Sequence, residues 1–307
     1  MKQTQAFLST YTADVSGVCS ALFELGGMTV MHDASGCNST YNTHDEPRWY
    51  DMDSLVYISG LSELEAVMGD DEKLISDVSD AARQLHPRFI ALAGTPIPMI
   101  TGCDLPAIAR EVAGRTNIPS FAVPSNGIGT YVAGAGQALR LYAERFITSR
   151  PEKRKNAVNI LGATPLDFSV NGCVQSMARR IEEAGFTLQS VFAMSSSIDA
   201  IDKAGAAEAN LVISSVGLPA AKYLQAQFGT PYVIGAPFGD FFSPYVFDAL
   251  RESIRTGVPT DVLGAFAPDA PDTIILGESV TAKSLAAALA VGYGIEVGRP
   301  SGLRKTK

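Results

Sequence analysis

The chain is predicted to be an α/β protein built from two doubly wound, Rossmann-like parallel-sheet domains, followed by the start of a truncated third unit. Three observations carry this prediction. Runs such as Met28 to Met31, Phe89 to Ala93 and Ala157 to Gly162 are mostly apolar without strict alternation, as strands covered on both faces are. Between them lie stretches of helical period, and the pattern restarts after Thr148-Ser149-Arg150-Pro151-Glu152-Lys153-Arg154-Lys155, a polar, basic, proline-containing stretch that reads as a linker. The expected divisions are therefore residues 1–150, 151–260 and 261–307.

Each element follows from its local pattern. In the first domain Met28 to Met31, Ser54 to Ser59, Phe89 to Ala93 and Ser120 to Val123 read as buried strands. Asp71 to Leu85, Asp104 to Arg115 and Tyr131 to Ile147 read as helices, with Asp104 placed to cap the second and His86 at the end of the first. The second domain repeats the order. Strands at Ala157 to Gly162, Thr187 to Phe192, Asn210 to Ser214 and Tyr232 to Ile234 alternate with helices at Asn171 to Ala184, Ile198 to Ala204 and Pro219 to Phe228. A third restart holds one strand, Thr273 to Leu276, and one Ala-rich helix, Thr281 to Val291.

Composition narrows the function. Of 307 residues 46% are hydrophobic and only 18% charged, so much surface is expected to be buried between subunits. A net charge of -8 with no Lys/Arg run argues against nucleic-acid binding, which rests on neutralising phosphates. No apolar run is long enough to span a bilayer, and the N-terminus lacks a secretory pattern, so a cytoplasmic protein is expected. Four widely spaced cysteines do not form a disulfide framework, which directs attention to thiol chemistry or metal ligation.

Cys37 is the leading candidate. It stands in Ser35-Gly36-Cys37 just past the strand Met28 to Met31, at the strand end where α/β proteins place ligands, and Cys19 precedes the same strand. Cys103, in the loop from Thr95 to Asp104, lies at the same end of its sheet and is either a third ligand or a packed thiol; Cys173 reads as packing one turn into a helix. Other readings of these residues stay open. Ser35-Gly36-Cys37 has the form of a nucleophile elbow with His32 or His44 as base. His32, Cys37 and His44, with Asp33 and Asp45, admit zinc without matching a compact zinc motif. The stretch Pro124-Ser125-Asn126-Gly127-Ile128-Gly129-Thr130 offers amides to an anion, although a tight connection using glycines at positive φ is the simpler reading.

The order of Cys19, a short strand, His32, Gly36-Cys37, Arg48, Glu63-Leu64-Glu65-Ala66-Val67-Met68-Gly69 with Lys73-Leu74, and the Thr95 to Asp104 loop resembles the nitrogenase component 1 family. Val158-Asn159-Ile160-Leu161-Gly162, Ala209-Asn210-Leu211-Val212 and Phe228-Gly229-Thr230-Pro231-Tyr232 continue the resemblance over about the first 250 residues. The family includes nitrogenase subunits, their cofactor-assembly scaffolds, the dark-operative chlorophyll-pathway reductases and the reductive cyclase of coenzyme F430 biosynthesis.

The resemblance implies that three cysteines of the N-terminal domain bind a cluster between two related subunits. Cys19 and Cys37 fall on the first two positions, and Thr95 stands at the third. With two thiols per chain, the implied solution is a [4Fe–4S] cluster shared across a homodimer, or across a heteromer with a related subunit. Asp33, Thr95 or Cys103 would complete it otherwise, while Ser35, Asn38 and the backbone around Gly36 offer hydrogen bonds. Arg48, Glu63 and Glu65 are expected to support the fold. The implied activity is reduction of a small organic or tetrapyrrole-like substrate, in a cleft bordered by Thr164 to Val170, Ser214 to Leu218 and Pro237 to Phe242. Electrons would come from an ATP-dependent iron–sulfur reductase protein. Thr95 and the missing third domain favour the alternative, a non-catalytic scaffold, carrier or regulator for cluster or cofactor assembly.

Overall fold

A computed structural model describes residues 13–34, 36, 38, 41, 46–266, 273–295 and 297–298. The chain divides into two compact units, one of residues 12–142 with 164–171, the other of 143–163 with the residues from 172 onward.

The first unit opens with α1 (Asp14–Leu22), which the sequence pattern does not announce, and continues into β1 (Met28–His32). Then come β2 (Leu55–Ile58), α2 (Glu63–Met68), α3 (Glu72–Leu85), β3 (Ile90–Gly94), α4 (Pro96–Thr101), α5 (Leu105–Thr116), β4 (Ser120–Val123) and α6 (Tyr131–Phe146). The strands form a four-stranded parallel sheet in the order β2-β1-β3-β4. Central strands β1 and β3 are buried at every position, which is why they read as mostly apolar runs without alternation. One face of the sheet packs on α3 and α5 through Met28, Val30, Leu74, Val78, Leu92, Ile108 and Val112. Asp104 does cap α5, accepting a 3.0 Å bond from the Ala107 amide. The Thr95 to Asp104 segment, expected as loop, contains α4, whose prolines fall in its first turn where their missing amides cost nothing.

In the second unit β5 (Ala157–Leu161), α8 (Cys173–Glu183), β6 (Thr187–Val191), α9 (Ile198–Asp202), β7 (Ala209–Val212), α10 (Leu218–Phe228), β8 (Tyr232–Ile234), α11 (Gly239–Thr256) and β9 (Thr260–Asp261) follow one another. The short α7 (Pro165–Phe168), between β5 and α8, belongs to the first unit. The strands form a five-stranded parallel sheet in the order β6-β5-β7-β8-β9. Helix α11 is not evident from sequence because Pro244 lies within it; Ser243 Oγ donates 2.6 Å to the Gly239 carbonyl and helps hold that turn. Cys173 is the first residue of α8 rather than one turn inside, since Gly172 with φ 88 forms the entry. The chain then makes a small βαβ piece: β10 (Thr273–Ile274) pairs in parallel with β11 (Val297–Gly298), and α12 (Ser279–Tyr293) joins them.

Both sheets therefore reverse their strand order once, between β1 and β3 in the first unit and between β5 and β7 in the second. Open α/β sheets bind ligands beyond the carboxyl ends of the strands at such a reversal.

Candidate functional site

At the reversal in the first sheet stand His32, Asp33 and Thr95, beyond the ends of β1 and β3. β1 ends at His32, and Asp33 follows as a buried carboxylate. Asp33 Oδ1 accepts 2.8 Å from the Ala34 amide and Oδ2 accepts 2.6 Å from Asn38 Nδ2, so this one side chain ties Ala34 to Asn38. Gly36 is exposed on that turn. Ser35, Cys37 and His44 lie outside the described residues. Thr95 follows the neighbouring strand β3; it is wholly buried and its Oγ1 donates 2.7 Å to the His32 carbonyl.

Cys19 is carried by α1, and its residue is fully buried. The placement depends on two close backbone crossings. A Cβ on Gly17 would stand 2.2 Å from the Tyr131 carbonyl oxygen, and one on Gly134 would stand 1.9 Å from that of Asp14, so only glycine lets α1 lie this close to α6. Burial, with the Glu46 carboxylate nearby, pushes the Cys19 thiol well above its ordinary range. It stays protonated unless a cation replaces its proton.

Next to Cys19 on the helix, Ser20 enters a buried polar network. Ser20 Oγ donates 2.9 Å to Glu46 Oε2 and accepts 3.1 Å from the Tyr131 hydroxyl. Arg48 donates to Glu46 through Nε at 2.7 Å and Nη2 at 2.8 Å, to the Ser20 carbonyl at 2.7 Å and to Glu24 at 3.0 Å. Its guanidinium also lies 4.5 Å from the centroid of the Phe23 ring. Burial would lower the Arg48 pKa, but the bonds to Glu46 and Glu24 hold it above the ordinary value. Arg48 thus supports the fold around α1, as the sequence suggests; Ser20, Glu46, Tyr131 and Tyr41, whose hydroxyl donates 3.3 Å to Glu46 Oε2, carry no pattern that would have found them. Glu65 is structural too, completing a capping box with Ser62 and lying 3.7 Å from Lys73.

His32 is almost fully buried. Its Nδ1 lies 2.8 Å from Ser59 Oγ, which also accepts from the Asp33 amide. Burial holds its imidazole below the ordinary value, against the opposing pull of Asp71, Asp33 and Glu65. It borders a cavity of about 210 Å³ shared with Glu65, Asp71, Thr101 and Cys103. The Cys103 thiol donates to Asp71 Oδ1 at 3.7 Å, and burial together with that carboxylate pushes it up to about 12. Among the described residues, no group of three or more His, Cys, Asp or Glu side chains is placed to hold a metal ion. Cys19 and Cys103 are accordingly not gathered into one ligand set.

The glycine stretch after β4 does cradle an anion, and that anion is the protein's own. Asp14 accepts from the Asn126 amide at 3.0 Å and the Gly127 amide at 2.8 Å, with Gly127 at φ 73. His86 closes α3 in the left-handed region at φ 48.

The fold defines an α/β protein of two doubly wound units, each with a parallel sheet that reverses its strand order once. Residues 16–262 match the family described as Nitrogenase component 1 type Oxidoreductase, and the chain belongs to that family. It is 28% identical over 196 residues to the nitrogenase iron-molybdenum cofactor biosynthesis protein NifE of Methanosarcina barkeri, covering 60% of this chain and 42% of that one. Over 181 residues it is 35% identical to a subunit of the light-independent protochlorophyllide reductase of Nostoc punctiforme, covering 56% and 36%. The chain thus spans less than half the length of these relatives. The solved structure of nitrogenase Cp1 at pH 5 superposes with a TM-score of 0.68 at 16% identity, covering 99% of this chain and 70% of that one, which establishes the likeness of fold. No helix among the described residues is long and apolar enough to cross a membrane.

The donor set suits an iron–sulfur cluster in kind and falls short in number. Cys19 offers a thiol in a dry, hydrogen-bonded setting, of the type that tunes such clusters. Thr95, where the resemblance implies a third ligand, directs its hydroxyl to the His32 carbonyl.

Proposed function

We propose that this chain is a subunit of a nitrogenase-like reductase in which Cys19 and Cys37, with their mates from a second copy, hold one [4Fe–4S] cluster. The support for the reading is the fully buried Cys19 on α1, next to the Ser20–Glu46 bond, and the Asp33 carboxylate bonded to Ala34 and Asn38, which flank Cys37 in sequence. When bound, the cluster supplies one-electron transfer. The chain's own residues do the rest. Arg48 and Glu46 keep α1 in place, Thr95 ties the two strand ends, and the buried surroundings exclude water. Because Cys19 has no exposed surface in the single chain, loading requires the residues over it to part.

The electron donor in this reading is an ATP-dependent iron–sulfur reductase protein. Its docking surface is assigned to α2 and α4, which follow the carboxyl ends of β2 and β3. They present Leu64, Val67, Met68, Met99 and Ile100 to solvent, a set of large apolar side chains on the side of the sheet where the cluster would lie. The acceptor is a small organic or tetrapyrrole-like molecule.

A second reading, a scaffold or carrier for cluster or cofactor assembly, draws support from Thr95 at the third ligand position and from the contact of Glu278 with Ser215 at the second sheet's strand ends. Anaerobically purified protein tests the shared cluster. It should be brown with about four irons per dimer, Cys37→Ser should abolish the absorption, and Cys173→Ser should leave it. Colourless, iron-free protein after anaerobic reconstitution would overturn the cluster. Brown protein that transfers iron to an acceptor protein but shows no donor-dependent turnover would favour the scaffold.

A further inference from the structure

His32, 5% exposed at the end of β1, borders the cavity of about 210 Å³ together with Glu65, Asp70, Asp71, Cys103 and Asp104. The hydrogen bonds of Ser59 fix the form of its ring. Ser59 Oγ has one proton, which goes to the Asp33 carbonyl at 3.3 Å, so the same oxygen accepts from the Asp33 amide at 3.2 Å and from His32 Nδ1 at 2.8 Å. The Nδ1 proton is thereby committed, and Nε2 of the neutral ring is left as an acceptor. It has no hydrogen-bond partner among the described residues. An acceptor on an almost fully buried ring beside a cavity calls for a donor from a ligand.

The carboxylates around the same cavity are only half spent on the fold. Glu65 Oε2 accepts from the Ser62 amide at 2.9 Å, Asp70 Oδ1 from the Glu72 amide at 3.1 Å and Asp104 Oδ1 from the Ala107 amide at 3.0 Å. Asp71 stands at the N-cap of α3 without capping it, and its Oδ1 accepts instead from the Cys103 thiol at 3.7 Å. The second oxygens of Asp70, Asp71 and Asp104 carry no hydrogen bond among the described residues. Nor does any described Lys or Arg border the cavity: Lys73 is held outside it by Glu65 at 3.7 Å and Asp77 at 3.3 Å. These acceptors are too dispersed for a bare ion, since among the described residues no three such side chains are placed to hold a metal. They suit a cation that spreads its N–H donors over several atoms.

We propose that this cavity binds an organic cation with N–H donors, a guanidinium or primary ammonium group, which donates to His32 Nε2 and pairs with the Asp71 carboxylate. Glu65, Asp70 and Asp104 add negative potential around it. The group belongs either to a free amine compound or to a basic side chain of another protein, and the chemistry that receives it is the same. The site stands on the cavity's own groups and is independent of the redox reading.

Calorimetric titration of the full chain without any cluster tests it. Agmatine should bind saturably in a one-to-one ratio, whereas tetramethylammonium, which has the charge but no N–H donor, and magnesium should not. N-acetylarginine amide separates the two sources: agmatine bound about tenfold more tightly assigns the site to a free cation, and equal or tighter binding of the capped arginine assigns it to a protein side chain. His32→Asn keeps a donor for Ser59 and removes Nε2, and should weaken binding by about tenfold or more. Asp71→Asn, at a half-buried position, should do the same and covers the case in which His32→Asn fails to fold. Glu63→Gln removes a charge from the exposed first turn of α2, outside the cavity, and should stay within about twofold of the parent. Absence of saturable binding by both guanidinium compounds, equal binding of tetramethylammonium or magnesium, or undiminished affinity in Asp71→Asn would overturn the site.

Discussion

The Thr95 hydroxyl donates a 2.7 Å hydrogen bond to the backbone carbonyl of His32, tying the end of β3 to the end of β1. The two residues frame the reversal of the first sheet, and the bond is made by the residue that stands where the family resemblance implies a cysteine. What that position lacks in ligation it returns as a crosslink between the two strands beside the candidate cluster.

Removing the hydroxyl should have a measurable effect. Thr95→Val keeps the volume and loses the bond, lowering stability by about 1 kcal/mol, whereas Thr95→Ser should stay close to the parent. Urea unfolding of the three proteins decides; equal loss in both variants would assign the effect to packing instead.

The Arg48–Glu46 pair is buried, so breaking it exposes a desolvated charge. Arg48→Met should cost about 3–5 kcal/mol by leaving Glu46 unpaired, and the double variant Arg48→Met/Glu46→Leu should recover much of that. Urea midpoints of the single and double variants test the claim, which fails if the double variant is no more stable than the single one.

His32 gives a pH dependence of defined sign. Burial keeps its folded-state pKa below the ordinary value, so the stability gained from a neutral ring is complete above about pH 6.5. It is lost as the pH falls below that toward the folded value. The neighbouring Asp71, Asp33 and Glu65 oppose the shift and Lys73 assists it. Urea midpoints should therefore fall between about pH 7.5 and pH 5, and His32→Gln should flatten that slope. An identical slope in the variant would place the titration elsewhere.

The surface of α2 should govern donor docking alone. Val67→Asp and Met68→Asp put charge on two exposed apolar positions without touching the core. Turnover driven by the reductase protein should drop at least about tenfold, while iron content and reduction by dithionite stay unchanged. Full donor-dependent turnover in both variants would remove α2 from the docking surface.

The strands were legible because a strand buried on both faces is mostly apolar, as β1, β3, β5 and β7 are, and the cap Asp104 was legible because it acts within three residues. Helix α1 was not. Its Ser16, Gly17 and Ser20 are poor helix formers, and Gly17 is required by the approach of Tyr131, more than a hundred residues away. The glycine stretch after β4 was legible as a tight turn with amides to offer, but nothing local named Asp14 as the anion they hold. Cys37 lies outside the described residues; Asp33 bonds to Ala34 and Asn38, which flank it in sequence.

By itself the sequence determined the α/β class, the position of the thiols relative to the first strand, and the family resemblance. All of these rest on residue order and short-range periodicity. Only the tertiary structure decided which buried groups meet: Ser20 with Glu46, Thr95 with His32, and Ser215 with Glu278. These partners lie 26, 63 and 63 residues apart. A hydrogen-bonding group removed from water must find a partner, and at such separations the folded chain alone selects it.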